Sequence, residues 1–258
     1  MRITYIGHAT LLIQVDGKRI LTDPNFDPVL ARVLRRVTAP GIALDALPPL
    51  DAVLVTHAHA DHLSLTSLDS LSRTVPVYAP PGVQRWLHRL GYPQVVPIAP
   101  GDTAQIGPIR LHAGSAKHVG TRYGWDRWAG AANMYLLESA DHTCFFAGDT
   151  ALTGDTHRLV ESTLHDRRLD VALLPIGHAP WWKPRYRSGH MTWADALVLF
   201  ERLRARFFIP YHWGTFHHLT AGPWDAIRPL RARLSDHPRQ NDVRILEPGT
   251  IFDLLDPA

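Results

Sequence analysis

Several features that mark other classes of protein are missing from this 258-residue chain. It has a single cysteine, Cys144, which excludes an internal disulfide and favours a reducing, cytoplasmic location. No run of about 18 apolar residues is present, so a membrane-spanning helix is not expected. The first residues alternate like a strand and do not resemble the charged start and apolar helix of a signal peptide. Peripheral contact with a membrane stays possible.

The chain also lacks a strongly biased charge and any low-complexity tract. Its net charge is +3, and the arginines are dispersed rather than gathered in a block, so nucleic acid is not an expected partner. No Ser/Gly-rich linker divides the sequence, and 45% of the residues are hydrophobic, enough for a sizeable core. We therefore predict one domain over residues 1–258. The oligomeric state is open, and a homo-oligomer is possible.

What the sequence does contain is a dense cluster of metal-binding residue types directly after an apolar run. Residues 51–56 read as a buried strand, and His57, His59, Asp61 and His62 follow it within six positions. Such a segment lies at the carboxyl edge of a sheet, where α/β proteins place their ligands. Because imidazole and carboxylate suit zinc, iron and manganese, the cluster predicts a metal site. Four residues do not complete two sites, so further ligands are required.

Candidates for those further ligands follow other apolar segments. Asp149 comes after the apolar run 143–147, and Gly148 between them allows close backbone approach. His118 and His212 each end another short apolar segment. Together these residues predict two metal ions roughly 3.5 to 4 Å apart that share a hydroxide. Zinc is the first expectation for the two divalent ions, with manganese and iron as alternatives.

At this point the sequence resembles the metallo-β-lactamase superfamily over nearly its whole length. Within it, the branch that contains N-acyl-phosphatidylethanolamine-hydrolysing phospholipase D and the ascorbate 6-phosphate lactonases is the most similar. The segments that carry this resemblance are residues 3–10, 21–24, 48–52, 57–62, 117–118, 148–150 and 212–216. The resemblance implies the following ligand sets: His57, His59 and His118 for one ion, Asp61, His62 and His212 for the other, and Asp149 for both.

The resemblance also implies an α/β fold, namely an αββα sandwich with the site at one edge between two sheets. A faint internal repeat supports two pseudo-duplicated halves. Residues 10–23 read as strand, turn, strand and Asp, with the hairpin signal Asp16-Gly17, and residues 133–149 follow the same plan. Likewise, residues 51–59 parallel residues 170–178.

Two helices are predicted from apolar residues three and four apart, over 81–90 and 192–204. Thr192 is the expected N-cap of the second helix. The proline-containing stretches 76–100 and 175–184 otherwise read as loops between elements.

A second group of residues is assigned to the substrate or to support of the ligands. His8 lies in a turn between the first two strands and is expected to orient a ligand from behind. The loop 180–188 combines three aromatic and three cationic side chains, which could hold an apolar group and a phosphate, or could simply anchor the loop. The predicted substrate-binding residues are His178, Trp181, Trp182, Lys183, Arg185 and Arg187.

The chemistry predicted by this set is metal-dependent hydrolysis, with Asp61, Asp149 and His190 as the catalytic residues. The leading substrate is a phosphodiester, which could be a lipid phosphate. A lactone or ester of a phosphorylated or amphipathic small molecule is the alternative. A third possibility is a regulatory protein that binds metal without catalysis.

Overall fold

A computed structural model describes residues 1–31, 33–123, 126, 131–177, 182, 184–218 and 220–256, with Arg185 described only in its backbone. The strands in chain order are β1 Arg2–Gly7, β2 Thr10–Val15, β3 Lys18–Thr22, β4 Val29–Leu30, β5 Leu34–Arg35, β6 Ala52–Leu54, β7 Val77–Ala79, β8 Val95–Pro97, β9 Thr103–Ile106, β10 Ile109–Ser115, β11 Asn133–Glu138, β12 Thr143–Phe146, β13 Val171–Pro175, β14 Phe207–Tyr211 and β15 Ile251–Asp253. The helices are α1 Leu65–Asp69, α2 Pro81–Arg89, α3 Arg158–Leu164, α4 Pro184–Arg187, α5 Trp193–Leu203 and α6 Ile227–Leu234, and short 3-10 helices lie at Leu44–Ala46 and Gln240–Asp242.

Two large sheets organise the fold. One has the strand order β15-β1-β2-β3-β6-β7-β8 and the other the order β14-β13-β12-β11-β10-β9. In each sheet an antiparallel hairpin, β2–β3 or β11–β12, is continued by parallel strands. The turn of the first hairpin has positive φ at Asp16 (48°) and Gly17 (74°), as a type I′ turn requires. The shared topology confirms the predicted α/β sandwich with two similar halves.

The main core joins the two sheets. Tyr5 and Leu11 of the first sheet belong to the same buried cluster as Tyr135, Phe145 and Phe208 of the second. Cys144 is also buried in this cluster.

Helices cover the outer faces of the sheets. Val83 and Leu87 of α2 pack with Val53 and Val55 in a second, smaller cluster on the first sheet. On the second sheet, the buried face of α5 joins the main core. The order of layers is therefore helix, sheet, sheet, helix.

Both predicted helices form, and one predicted loop is wrong. Thr192 caps α5 through a capping box, because its Oγ1 accepts a hydrogen bond from the Asp195 backbone while the Asp195 carboxylate accepts one from the Thr192 backbone. The stretch 76–100, read as a loop around the first helix, contains strands β7 and β8 as well. Each has only three residues in a parallel sheet, so no alternation marks it in the sequence.

Pro175 ends β13, and part of the following stretch lies outside the described residues. Among the residues that are described, none of the helices combines the length and the apolarity needed to cross a bilayer.

Candidate metal centre

The predicted ligands converge at one edge of the sandwich, because each follows the end of a strand. His57 to His62 follow β6, His118 follows β10, Asp149 follows β12 and His212 follows β14. The first of these strands belongs to one sheet and the other three to the second sheet. The site therefore exists only when the two halves of the fold pack together.

Three imidazoles form one group. The Nδ1 atom of His59 lies 3.0 Å from Nε2 of His57 and 3.1 Å from Nε2 of His118. Two ligands of one tetrahedral ion are expected to lie about 3.4 Å apart, given metal–nitrogen bonds of about 2.1 Å. The spacing is close to what a single zinc-sized ion requires.

A second group surrounds the Asp149 carboxylate. Its Oδ2 atom lies 3.3 Å from Nε2 of His62, of His190 and of His212. Oδ2 of Asp61 lies 3.8 Å from Nε2 of His62 and 3.7 Å from Nε2 of His212. Asp149 also lies within 4.8 Å of ligand atoms of His57 and of His118 in the first group, as expected for a carboxylate between two ions.

Hydrogen bonds on the far side of the rings orient two of the histidines. The Thr56 hydroxyl donates to Oδ2 of Asp23 at 2.7 Å and is therefore available to accept from Nδ1 of His57 at 2.9 Å. Nδ1 of His62 donates to the same Asp23 oxygen at 2.7 Å. With Nδ1 engaged in these hydrogen bonds, each ring directs Nε2 towards the centre, and Nε2 is the atom that a metal ion would bind.

His118 is oriented in the same way. Its Nδ1 atom donates to the backbone carbonyl of Gly189 at 2.8 Å, which again leaves Nε2 as the inward acceptor. For three candidate ligands on two loops, hydrogen bonds with the surrounding protein therefore decide which ring nitrogen faces the centre.

Several inward atoms make no hydrogen bond with the part of the chain that the structure describes. Nε2 of His62, Nε2 of His212 and Oδ1 of Asp149 are buried and accept or donate no hydrogen bond among the described residues. Buried polar atoms without partners are costly, so a cluster of them facing one point needs another binding partner. The donor set of imidazoles and carboxylates fits two divalent cations.

The electric field of the site also favours cations. Burial lowers the pKa of His118 to about 4 and the pKa of His57 well below its ordinary value, so both rings are neutral. Burial opposes ionisation of Asp149, but His212 and His62 hold its pKa well below the usual range. Burial likewise opposes a charge on His62, and yet Asp149, Asp61 and Asp23 raise its pKa well above normal. The carboxylates therefore make the centre attractive to positive charge.

His8 lies beside the second group, as predicted. Its Nε2 atom is 3.0 Å from Oδ2 of Asp61, and its ring packs against His212 with centroids 3.9 Å apart. The backbone of His8 has φ of 56°, and its N–H donates to the Thr215 hydroxyl at 2.7 Å. These contacts place His8 where it can hold the Asp61 carboxylate in position.

Two supporting residues were missed by the sequence analysis. Asp23 holds both Thr56 and His62, and the internal repeat offered a signal for it, because Asp23 ends the same plan that Asp149 ends. Arg122 donates through Nη1 to the carbonyls of Ala58 and Leu63, which ties down both ends of the ligand loop. Nothing in the sequence distinguishes Arg122 from the other arginines.

The predicted substrate loop is only partly described. His178, Trp181 and Lys183 lie outside the described residues, as does the side chain of Arg185. Trp182 is 50% exposed and Arg187 is exposed.

Among the described residues of this region, Tyr186 reaches the centre, and the predicted substrate-binding residues did not include it. Its ring stacks on His190 with centroids 3.8 Å apart, and its carbonyl accepts a hydrogen bond from Nδ1 of His190 at 2.8 Å.

A cavity of about 430 Å³ opens beside the centre. Its polar lining comes from site residues, among them His59, Asp61 and His190, together with Thr215 and His218. The apolar residues that line it are Leu30, Ala31, Leu34, Ala60, Trp213, Phe216, Ala221, Pro223 and Ala226. No lysine or arginine is among the described residues of this lining. The volume is that of a pocket for a small organic molecule.

Comparison with known proteins places these features in a family. The sequence profile described as the Beta-lactamase superfamily domain matches residues 18–213. A UPF0173 metal-dependent hydrolase of Pyrobaculum aerophilum is 29% identical over 255 residues, which cover 98% of this chain and 99% of the relative. A Mycobacterium tuberculosis protein is 28% identical over 275 residues, covering all of this chain and 70% of the relative.

Solved structures show the same fold. Isothiocyanate hydrolase from Delia radicum gut bacteria superposes with a TM-score of 0.78 at 21% identity, covering 98% of this chain and 99% of the other. A metallo hydrolase of Ignicoccus hospitalis superposes with a TM-score of 0.71 at 24% identity, and the match covers 98% of each chain.

Proposed function

Because this chain belongs to the β-lactamase superfamily and is a metal-dependent hydrolase of it, we propose that it cleaves a neutral carbonyl substrate, an ester or a lactone, at a dinuclear centre. The observation that carries the choice of substrate is the cavity beside the centre, whose described lining is largely apolar apart from the site residues, Thr215 and His218, and contains no lysine or arginine. An uncharged, partly apolar molecule enters such a pocket without an uncompensated desolvation cost.

The ligand assignment follows from the two groups of atoms described above. One ion would be held by His57, His59 and His118, and the other by Asp61, His62 and His212, with Asp149 between them. Two divalent ions, zinc in the first instance with manganese or iron as alternatives, would acidify a water molecule so that a hydroxide is available near neutral pH.

The protein's own residues position the reactants and move the proton. His8 holds the Asp61 carboxylate at 3.0 Å, which restricts how that side chain can turn. His190 lines the cavity, and its Nδ1 donates a hydrogen bond to the backbone carbonyl of Tyr186, so Nε2 is the atom that can carry a second proton towards the substrate. We assign His190 as the donor of the proton that the leaving oxygen needs.

A phosphodiester is the second candidate. It is favoured by the cationic residues Lys183, Arg185 and Arg187, which adjoin the cavity-lining Tyr186 in sequence. The phosphodiester anion would need such a cation to replace the water that hydrates its charged oxygens. We propose an amphipathic substrate in either case. A cytoplasmic location is proposed from the single, buried cysteine.

The test combines metal analysis with two classes of substrate. The purified protein is analysed for zinc, manganese and iron, and its hydrolysis of p-nitrophenyl butyrate and a γ-lactone is compared with that of bis(p-nitrophenyl) phosphate. We expect about two metal ions per chain. Ester and lactone turnover should be at least about tenfold above diester turnover in kcat/KM, since one unpaired charge in the apolar cavity costs more than 1.4 kcal/mol.

His118→Ala and His112→Ala form a matched pair for this assay. His118 belongs to the centre, whereas His112 on β10 pairs with Glu138 on β11 at 2.8 Å and belongs to none of the ligand groups. Loss of metal and of activity is expected in the first variant alone. Diester turnover without ester turnover would replace the carbonyl substrate by the phosphodiester, and bound metal with neither activity would indicate a regulatory, non-catalytic protein.

A further inference from the structure

The β4–β5 hairpin forms one wall of the cavity beside the metal centre. We propose that this hairpin determines substrate specificity, with Leu30 and Leu34 holding the apolar alkyl or aryl part of the substrate. The inference rests on the proposed hydrolase function and adds to it the part of the substrate that does not react.

The pairing of the hairpin directs its two leucines to the same side. Leu30 lies directly opposite Leu34 in the antiparallel register, so their side chains share one face. Both line the cavity. Val29 pairs with Arg35 on the other face, and Val29 is 40% exposed. One face of the hairpin therefore belongs to the pocket and the other to solvent.

Hydrogen bonds fix the hairpin to the segment that follows the metal ligand His212. The Val37 N–H donates to the Thr215 carbonyl at 2.8 Å, and the His217 N–H donates to the Arg35 carbonyl at 3.1 Å. Through these bonds, the end of the hairpin pairs with residues 215–217. The leucines are consequently held at a constant position relative to the centre.

Arg36 adds a second attachment. Its guanidinium donates to the carbonyls of Asp27 at 2.9 Å and Asn25 at 2.8 Å. The same group lies over the ring of Phe216, 4.8 Å from the centroid, and Phe216 lines the cavity beside His8. Arg36 thus supports the aromatic part of the wall from behind, while the face of the wall towards the cavity stays apolar.

The occupant that fits this wall is an uncharged group of moderate length. Leu30, Leu34 and Phe216 offer only carbon surface, and the cavity of about 430 Å³ can take an alkyl chain or a ring but not a long lipid in full. Each methylene buried there should tighten binding about fourfold until the cavity is filled.

The experiment measures binding and turnover separately. Dissociation constants of non-hydrolysable p-nitrophenyl alkyl ethers, from methyl to heptyl, are determined by calorimetry on the full-length, metal-loaded protein. Values of kcat/KM are determined for the matching esters, from acetate to octanoate. In the wild type both series should improve with chain length.

Leu34→Ala removes part of the wall, and Leu34→Asn keeps its size but makes it polar. Either change should weaken binding of the hexyl ether about tenfold and leave the methyl ether unchanged. The control is Val33→Ala, because Val33 is in the same hairpin but is 65% exposed and is not part of the lining. It should leave both series as in the wild type.

The two proposals fail in different ways. Ether binding that depends on chain length and on Leu34 supports the role of the hairpin in binding. If no ester is cleaved in the same experiment, that absence counts only against the proposed reaction. Ester turnover with the same chain-length dependence in the wild type and in both Leu34 variants overturns the wall and leaves the hydrolase in place. Ether affinities that do not vary with chain length in the wild type also overturn it.

Discussion

The two halves of the sandwich use the same strand plan but place their aspartates differently. Asp23 is the first residue after β3, and Asp149 is the third residue after β12. The parallel registers are equivalent, since Thr22 pairs with Leu54 and Phe146 pairs with Leu173. Asp149 therefore extends two residues farther beyond the strand end than Asp23 does.

This offset explains why one carboxylate faces the centre and the other supports it. Asp23 is fully buried behind the ligands, where it accepts hydrogen bonds from Thr56 and His62. Asp149 lies among three imidazoles. The extra step is possible because Gly148 has φ of 57° and lies so close to Thr56 that a Cβ would come within 2.8 Å of its methyl carbon. A difference of two residues at a strand end is enough to turn an orienting residue into a candidate ligand.

The largest effect is expected from Asp149→Ala, which removes the carboxylate between the two groups. We expect kcat/KM to fall by at least about 1000-fold, more than the 10- to 100-fold typical of residues that only orient ligands. Bound metal, measured by elemental analysis, should fall below two ions per chain. A folded variant that keeps its full metal content would remove Asp149 from the ligand set.

Asp23→Asn tests the other side of the comparison. The asparagine amide cannot accept hydrogen bonds from both Thr56 and Nδ1 of His62 as the carboxylate does, so His62 should be less well oriented. We expect metal affinity to weaken by about 10- to 100-fold, measured by competition with a chromophoric chelator. At saturating metal, most of the activity should return. A loss of activity as large as that of Asp149→Ala, and not restored at saturating metal, would contradict the distinction between the two aspartates.

A second pair of aspartates occupies truly equivalent positions and should differ only in stability. Asp51 precedes β6 and accepts from the Arg19 N–H at 2.9 Å, while Asp170 precedes β13 and accepts from the Thr143 N–H at 2.9 Å. Thr143 is fully buried. Asp170→Ala should therefore cost about 1 to 3 kcal/mol of unfolding free energy, whereas Asp51→Ala should cost less than about 1 kcal/mol. Urea unfolding measures both.

The effect of Asp51→Ala on the unfolding free energy, which is the smaller of the two, should depend on pH. The hydrogen bond from Lys18 lowers the pKa of Asp51 below its ordinary value. A carboxylate with a lowered folded-state pKa stabilises the fold above its unfolded pKa, and this contribution is lost as pH falls through the folded value. The difference between the wild type and Asp51→Ala should shrink below about pH 4. A constant difference between pH 7 and pH 3.5 would contradict it.

The residues of the centre were accessible from the sequence because each follows an apolar strand. Strands that run in the same direction end at a common edge of the sandwich, so His57, His118, Asp149 and His212 could be predicted to meet from the sequence alone. A local pattern also predicted α5, because the residues of its capping box are neighbours in the sequence. The membership in the superfamily was confirmed, whereas the resemblance to one branch of it stays a prediction.

The sequence by itself thus determined the strands that precede the centre, the ligand candidates and their residue types, because those depend on periodicity and on spacing over a few residues. The tertiary structure decided which atoms face the centre. Asp23 and Asp149 look alike in the repeat, and only the packing of the two sheets separates the roles of the two residues. The same is true of Tyr186, Arg122 and the β4–β5 hairpin, since their contacts join segments far apart in the chain, and no local pattern records such contacts.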